Sequence, residues 1–368
     1  MWLKKQAKII EQKLSENIQK VLNHNQYIMG PEVYEIEETL ANFVGVKHAI
    51  SCSSGTDALL LSLMAYDIKP GDIILTTGFS FIATSEVISL LGATPVFVDI
   101  SRNTFNINPN EIIKTISKHD FKKIKGIIAV DLFGLPAHYK LINAIAKKYK
   151  LFVIEDAAQS LGAEYYGKKA GSLADIACTS FFPSKPLGCY GDGGMCFTDN
   201  TELYEKLISL RVHGKGVDKY NNINIGLNAR LDTIQAAILL AKFDIFKVEL
   251  EKRQKVEEYY KHILFDIKDI IIPYNFTEYK SAWAQYSILT KDKNHREKIQ
   301  IKLKKNNINT AIYYPVPLHL QPVYKNLAYE EGDLKTAEEY SKRILSLPMN
   351  PYLTKSEQDK IADLIHGI

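Results

Sequence analysis

Cysteine is scarce and unpaired in pattern: Cys52, Cys178, Cys189 and Cys196 are the only four, and no two of them form a C-x-x-C. That excludes a disulfide framework and suits a reduced cytoplasm, with the four acting as small buried hydrophobes. Long apolar runs are missing too. No stretch approaches the ~18 residues of a membrane span. The start, Met1-Trp2-Leu3-Lys4-Lys5-Gln6, continues as a charged amphipathic segment without the apolar centre of a secretory signal. An excess of either sign of charge is nearly absent. Lys and Arg number 46 against 42 Asp and Glu, a formal net charge of +4, so no basic face points to nucleic acid. Internal repeats, low-complexity tracts and metal-ligand clusters are also lacking. These absences predict a soluble, cytoplasmic protein with neither nucleic acid nor a membrane as partner.

What remains is ordinary globular composition, 46% hydrophobic and 24% charged over 368 residues. At the usual ~150 residues per domain, this length suggests two domains. Ile9, Ile10, Leu14, Ile18, Val21 and Leu22 recur at helical spacing and predict one amphipathic helix over 2–24. Tyr27–Pro31 breaks it, and a second helix is expected from Val33 to about Val44, closed by Gly45.

From there short apolar runs alternate with helical spacing. Strands are expected at His48–Cys52, Ile73–Thr76, Pro95–Asp99, Gly126–Asp131 and Leu151–Glu155. Helices are expected at Thr56–Met64, Ile82–Leu91, Pro109–Ile116 and Tyr139–Tyr149. Strands that are apolar throughout indicate a parallel sheet covered on both faces, hence an α/β fold. Two more strands (Ala174–Phe181, Gly194–Thr198), a helix over 201–211 and one long helix over 231–263 follow. The tail reads as strand (Ala284–Thr290), helix (His295–Lys305), Pro-rich loop (Tyr313–Pro322) and terminal helices. The expected division is a large domain over 1–244 and a smaller α/β domain over 245–368.

In an open parallel sheet, reactive groups gather at the carboxyl ends of the strands. Three such ends are chemically loaded. Ser51–Ala58 runs from strand into helix through small hydroxylated residues, and a helix start binds phosphate through free N–H groups. Equally, Ser54 could simply cap that helix. Val153–Ser160 places Glu155 and Asp156 at a strand end. Two carboxylates against a packed sheet are costly, so at least one is expected to meet a cation. Ser180–Gly194 sets Lys185 between an aromatic strand and a Gly-rich turn. A buried amine there would have a lowered pKa and act as a nucleophile; the alternative is a structural salt bridge to Asp156 or Asp192. Together, a phosphate cradle, a strand-end acid and a poised lysine are what pyridoxal phosphate requires.

These segments, with Gly30-Pro31-Glu32, Gly92–Asp99, Asn228–Asp232 and Tyr314-Pro315, resemble the DegT/DnrJ/EryC/StrS family over nearly the whole chain. The members are pyridoxal-phosphate-dependent nucleotide-sugar aminotransferases of fold-type I architecture. The resemblance implies that Lys185 forms the Schiff base and shuttles protons, that Asp156 pairs with the pyridine nitrogen, and that Gln159 lies near the ring hydroxyl. It implies Phe81 stacking on the ring and Ser54, Gly55, Thr56 and Ser180 holding the phosphate, joined by Asn228 from a second subunit. A homodimer with shared active sites follows.

Within the family, Phe181–Gly194, Asn25–Pro31, Ala236–Leu240 and Ser346–Met349 are most similar to enzymes acting on UDP-2-acetamido-2-deoxy-3-oxo-glucuronate. Those enzymes aminate C3 during synthesis of bacterial surface polysaccharide, with L-glutamate the implied donor. Tyr27, Ser184, Arg230, Tyr313 and Tyr314 match sugar-lining positions, and Arg230 suits a uronate carboxylate. Tyr313 stands where a His can occur, and His319 is a candidate to fill that gap. Amination of another 3-keto or 4-keto nucleotide sugar is an alternative. A non-catalytic cofactor-binding regulator is another, and deoxygenation is disfavoured because the relatives considered carry His in place of Lys185.

Overall fold

The computed structural model describes residues 2–368 apart from Lys219 and Asn275. The N-terminal stretch forms two helices rather than one, α1 (Trp2–Ile9) and α2 (Glu11–His24), because Ile10 leaves helical geometry between them. Asn25 adopts the left-handed conformation that stops α2, and α3 (Pro31–Val44) begins with Pro at its first position and ends on left-handed Gly45.

The alternation then yields β1 (His48–Cys52), α4 (Gly55–Ala65), β2 (Ile73–Thr77), α5 (Ala83–Leu90), β3 (Thr94–Val98), α6 (Pro109–Lys118), β4 (Ile124–Val130), α7 (Tyr139–Tyr149) and β5 (Phe152–Asp156). A two-residue-strand hairpin, β6 (Glu164–Tyr165) and β7 (Lys168–Lys169), precedes β8 (Ile176–Ser180), β9 (Gly194–Thr198) and α8 (Thr201–Arg211). The main sheet has seven strands in the order β1-β9-β8-β5-β4-β2-β3. It is parallel except for β9, which runs antiparallel to both β8 and β1. The reason is local. Loop 181–193 carries no helix, and a parallel return would need a crossover of a dozen or more residues.

Side chains alternate through the sheet, and both faces are covered. Leu75, Ile127 and Val153 pack on one face with α3, α6 and α7. Ile74, Ile128 and Ile154 pack on the other with α4, α5 and α8. All four cysteines are free and buried, as their scarcity predicted.

The long helix is α9 (Thr233–Leu264). Its first half (Ala236, Leu239, Phe246) joins the main core, while Val256, Tyr260 and Leu264 pack beneath a second sheet. The 244/245 boundary therefore falls inside a continuous helix. Past it lie β10 (Ile270–Ile271), β11 (Tyr279–Lys280), β12 (Tyr286–Thr290), α10 (Lys293–Lys305), α11 (Lys335–Arg343), β13 (Ile344–Leu347) and α12 (Lys355–His366). The second sheet is antiparallel, in the order β10-β12-β13, and β11 instead pairs with β6. Strand β13, between the terminal helices, was not among the expected elements. Its four residues are all buried and pair with β12, whereas so short an apolar run reads equally as helix.

Candidate active site

The carboxyl ends of β1, β5 and β8 open on a cavity of about 640 Å³. It is walled by Ser54, Gly55 and Thr56 at the start of α4, Asp156 and Gln159 after β5, and Ser180, Ser184 and Lys185 after β8. Phe81 and the Tyr313–Tyr314 pair close it from the β2 side and the C-terminal segment. Eleven candidates that lie far apart in sequence thus share one wall.

The helix start is built from both readings of Ser54. Its hydroxyl accepts from Asp57 N at 3.0 Å as an N-cap, and it also faces the cavity. The first turn leaves the Gly55 and Thr56 N–H groups without intrahelical acceptors. Glycine is required at 55 because a Cβ there would stand 2.7 Å from Ser180 Cβ. That closeness joins the α4 and β8 ends into one cradle.

Asp156 is buried at the last position of β5. Thr84 Oγ1 donates to its Oδ2 at 2.8 Å, and Ala158 N donates to Oδ1 at 3.2 Å. Burial raises its pKa, while the Thr84 bond and the Lys185 charge pull the other way. Lys185 responds in the opposite sense: burial lowers its pKa and Asp156 raises it. Among the described residues Lys185 makes no ion pair, so it is not the structural salt bridge considered as its alternative. Gln159 accepts from Phe133 N at 2.7 Å through Oε1 and donates to Tyr314 Oη at 3.4 Å.

Of the two acids, Asp156 is the one that feels a cation, the Lys185 charge, while Glu155 is met by backbone N–H groups instead. Its oxygens accept the Gly171 and Leu173 N–H groups at 2.7 and 2.9 Å. It lies beside Asp131, whose carboxylate takes the Ser160 and Tyr139 hydroxyls and Ala137 N. Burial pushes the Asp131 carboxyl up to about 7 and the Glu155 carboxyl well above its usual range.

Four candidates lie off the cavity wall. His319 is buried, with Nε2 3.0 Å from Glu338 Oε1, so it does not fill the gap beside Tyr313. Tyr27, Asn228 and Arg230 are held elsewhere: Thr233 N donates to Tyr27 O at 3.0 Å, Ile28 bridges Asp232 and Asn228 bridges Val212. Asn228 is exposed, and the Arg230 Nε is buried without a hydrogen-bond partner among the described residues. Conversely, sequence reasoning missed Thr84, Asp192 and Gln285 on the wall. Thr84 follows β2 at the start of α5, so the strand-end rule could have found it. Nothing local marks Gln285.

The DegT/DnrJ/EryC1/StrS aminotransferase family matches residues 8–366. The chain belongs to that family. It is 46% identical over 353 residues to the UDP-2-acetamido-2-deoxy-3-oxo-D-glucuronate aminotransferase of Pseudomonas aeruginosa, covering 95% of this chain and 94% of the relative. A pleiotropic regulatory protein of Geobacillus stearothermophilus is 40% identical over 365 residues, 99% of this chain and 96% of that one. A DegT DnrJ EryC1 StrS aminotransferase from Brucella abortus superposes with a TM-score of 0.95 at 44% identity, covering 99% and 97% of the two chains. NtdA from Bacillus subtilis, solved with bound cofactor PMP, gives 0.89 at 32% identity, covering 97% and 81%.

The fold is that of fold-type I pyridoxal-phosphate enzymes, and the chain is a pyridoxal-phosphate-dependent sugar aminotransferase. The family's cofactor fits the residues present. A free amine of lowered pKa, a buried carboxylate and a helix start with open N–H groups match its aldehyde, ring nitrogen and phosphate in kind. Among the described residues no helix is long and apolar enough to cross a membrane.

Proposed function

We propose that this aminotransferase places nitrogen on C3 of UDP-2-acetamido-2-deoxy-3-oxo-glucuronate, with L-glutamate as donor. The setting is cytoplasmic synthesis of bacterial surface polysaccharide such as lipopolysaccharide O-antigen. The observation that carries the reading is Lys185, a buried amine with no ion pair among the described residues, sharing one cavity wall with buried Asp156.

The cofactor, when bound, supplies an aldehyde that accepts the amino group and a ring that takes up electron density. The chain's own residues do the rest. Lys185 Nζ is the base that removes the donor's α-proton and returns it on the cofactor's side. In the second half-reaction the same amine works in reverse. Asp156, a carboxylate held by Thr84 and Ala158, would pair with the cofactor's ring nitrogen and keep it protonated. Ser54, Gly55, Thr56 and Ser180 would hold the phosphate, Phe81 would stack on the ring, and Gln159 would bond its hydroxyl. Ser184, Tyr313 and Tyr314 line the sugar's path.

Tyr27, Asn228 and Arg230 lie off this wall, and we assign them to the cavity of a second copy in a homodimer. Arg230 would then meet the uronate carboxylate with a fork of donors. Residues 1–244 form the cofactor-binding unit on this reading, and 245–368 the smaller unit that brings Tyr313 and Tyr314.

The test is direct. Purified protein given pyridoxal phosphate, L-glutamate and the 3-keto sugar nucleotide should yield 2-oxoglutarate and a C3 amino sugar. Borohydride reduction should fix the cofactor on the peptide containing Lys185. Nitrogen at C4, or no turnover with glutamate, would reject the reading. The Geobacillus relative favours a second one, a cofactor-binding regulator; it predicts cofactor uptake without turnover.

A further inference from the structure

Lys242 is a buried lysine outside the cavity, 1% exposed on α9, and it has no ion-pair partner among the described residues. Its Nζ donates to Gly188 O at 2.5 Å and sits 4.3 Å from the centre of the Tyr190 ring. Two turns of α9 earlier, Gln235 Oε1 accepts from Tyr190 N at 2.9 Å. Gly188 and Tyr190 belong to loop 181–193, the same loop that carries Lys185. That loop is closed on itself at the base, where Phe181 N donates to Gly193 O at 2.7 Å and Cys189 N to Phe181 O at 2.8 Å. A turn from Phe182 O to Lys185 N, at 2.8 Å, supports the lysine itself. A Cβ at Gly188 would lie 2.5 Å from Phe182 O, so the loop is too close-packed there for any side chain.

A buried charge without a counter-charge is costly, and a carbonyl and an aromatic face are weak compensation for its lost hydration. Burial accordingly lowers the Lys242 pKa to about 8. The groups facing it are the Cys189 thiol and Tyr190 on the loop and Glu249 on its own helix. Glu249 is already engaged by Gln6 and Tyr352. Such a cost is reasonable where a loop must be held rigid against a helix, since a reactive group works only within a narrow range of positions.

We propose that Lys242 is a positioning residue: its ammonium ties Gly188 and Tyr190 to α9 and so fixes the loop that presents Lys185. This rests on Lys185 being the reactive amine. It adds that the amine's placement depends on a lysine distant in sequence that never touches the cavity.

Hydrogen exchange on the cofactor-free protein tests it without relying on activity. In Lys242→Met, amides of 181–193 should exchange about tenfold faster or more, with peptides of the second sheet unchanged. Lys242→Gln retains a donor to Gly188 O and should restore most of that protection. In the loaded enzyme, Lys242→Met should lower kcat about tenfold, leave KM for the sugar within about twofold, and shift the pH dependence of the bound cofactor's visible absorbance. Lys242→Gln should recover kcat. Loop exchange and kcat both within twofold of wild type in Lys242→Met would overturn the proposal, as would faster exchange spread evenly over the chain. Should the aminotransferase reading fail, the wild-type protein would show no turnover of glutamate and the sugar, a result independent of loop exchange.

Discussion

Thr84 Oγ1 donates a 2.8 Å hydrogen bond to Asp156 Oδ2, joining the first turn of α5 to the end of β5. Ser80 lies on the far side of the Thr84 hydroxyl at 3.2 Å, so the carboxylate is held by a short polar chain. Burial raises the Asp156 pKa, and the Thr84 bond opposes that rise.

Thr84→Val should therefore raise the Asp156 pKa further. Because a protonated carboxyl cannot pair with a protonated ring nitrogen, cofactor affinity should fall about tenfold or more. The loss on acidification should also begin at a higher pH than in wild type. Titrating apoprotein with pyridoxal phosphate across pH measures both, and Thr84→Ser should stay within about threefold of wild type. Unchanged affinity in the valine variant would remove Thr84 from the site's support.

Lys185→Ala should keep the fold and abolish steady-state turnover. The amine makes no ion pair to lose, so unfolding free energy should change by no more than about 1 kcal/mol. Urea unfolding and product analysis read the two separately. Substantial turnover in this variant would end the assignment of Lys185 as the proton carrier.

Arg211 and Glu37 form a buried ion pair at 2.5 Å, and the same carboxylate accepts from Ser51 N and Ser51 Oγ. Removing the cation strands a charge under β1. Arg211→Met should cost about 3–5 kcal/mol in urea unfolding. The double variant Arg211→Met, Glu37→Leu should recover part of that loss, and equal destabilisation in both variants would contradict the account.

The Asp131–Glu155 pair gives a pH signature. Burial raises both carboxyl pKa values, Asp131 to about 7 from 3.8, so the folded chain binds more protons than the unfolded chain between those values. Stability from this pair is present at acid pH and lost as pH rises toward 7. Asp131→Asn should flatten that slope in a series of urea midpoints taken from pH 4.5 to 8. An identical slope in variant and wild type would refute it.

Much of the fold was legible because strand and helix periodicity is written in neighbouring residues. The seven strands of the main sheet fall within a residue or two of their expected bounds, while the short hairpin β6–β7 between them was not expected. The single helix expected over 2–24 divides at Ile10, and β13 was hidden, because a kink and a four-residue strand leave no periodic trace. The shared cavity was legible from residues at or just past strand ends: Ser54, Asp156, Ser180 and Lys185 all line it. His319 was misread because its proximity in sequence to Tyr314 says nothing of Glu338, which claims its ring.

By itself, then, the amino-acid sequence determined the alternation of elements, the apolar strands and the chemistry placed at their ends, since each depends on residues within a few positions. The tertiary structure alone decided that β9 runs backwards between β8 and β1, that Thr84 holds Asp156, and that Lys242 reaches Gly188. Those partners stand tens of residues apart. Their meeting follows from sheet order and helix packing, in which every burial competes with all the others and no local pattern records the result.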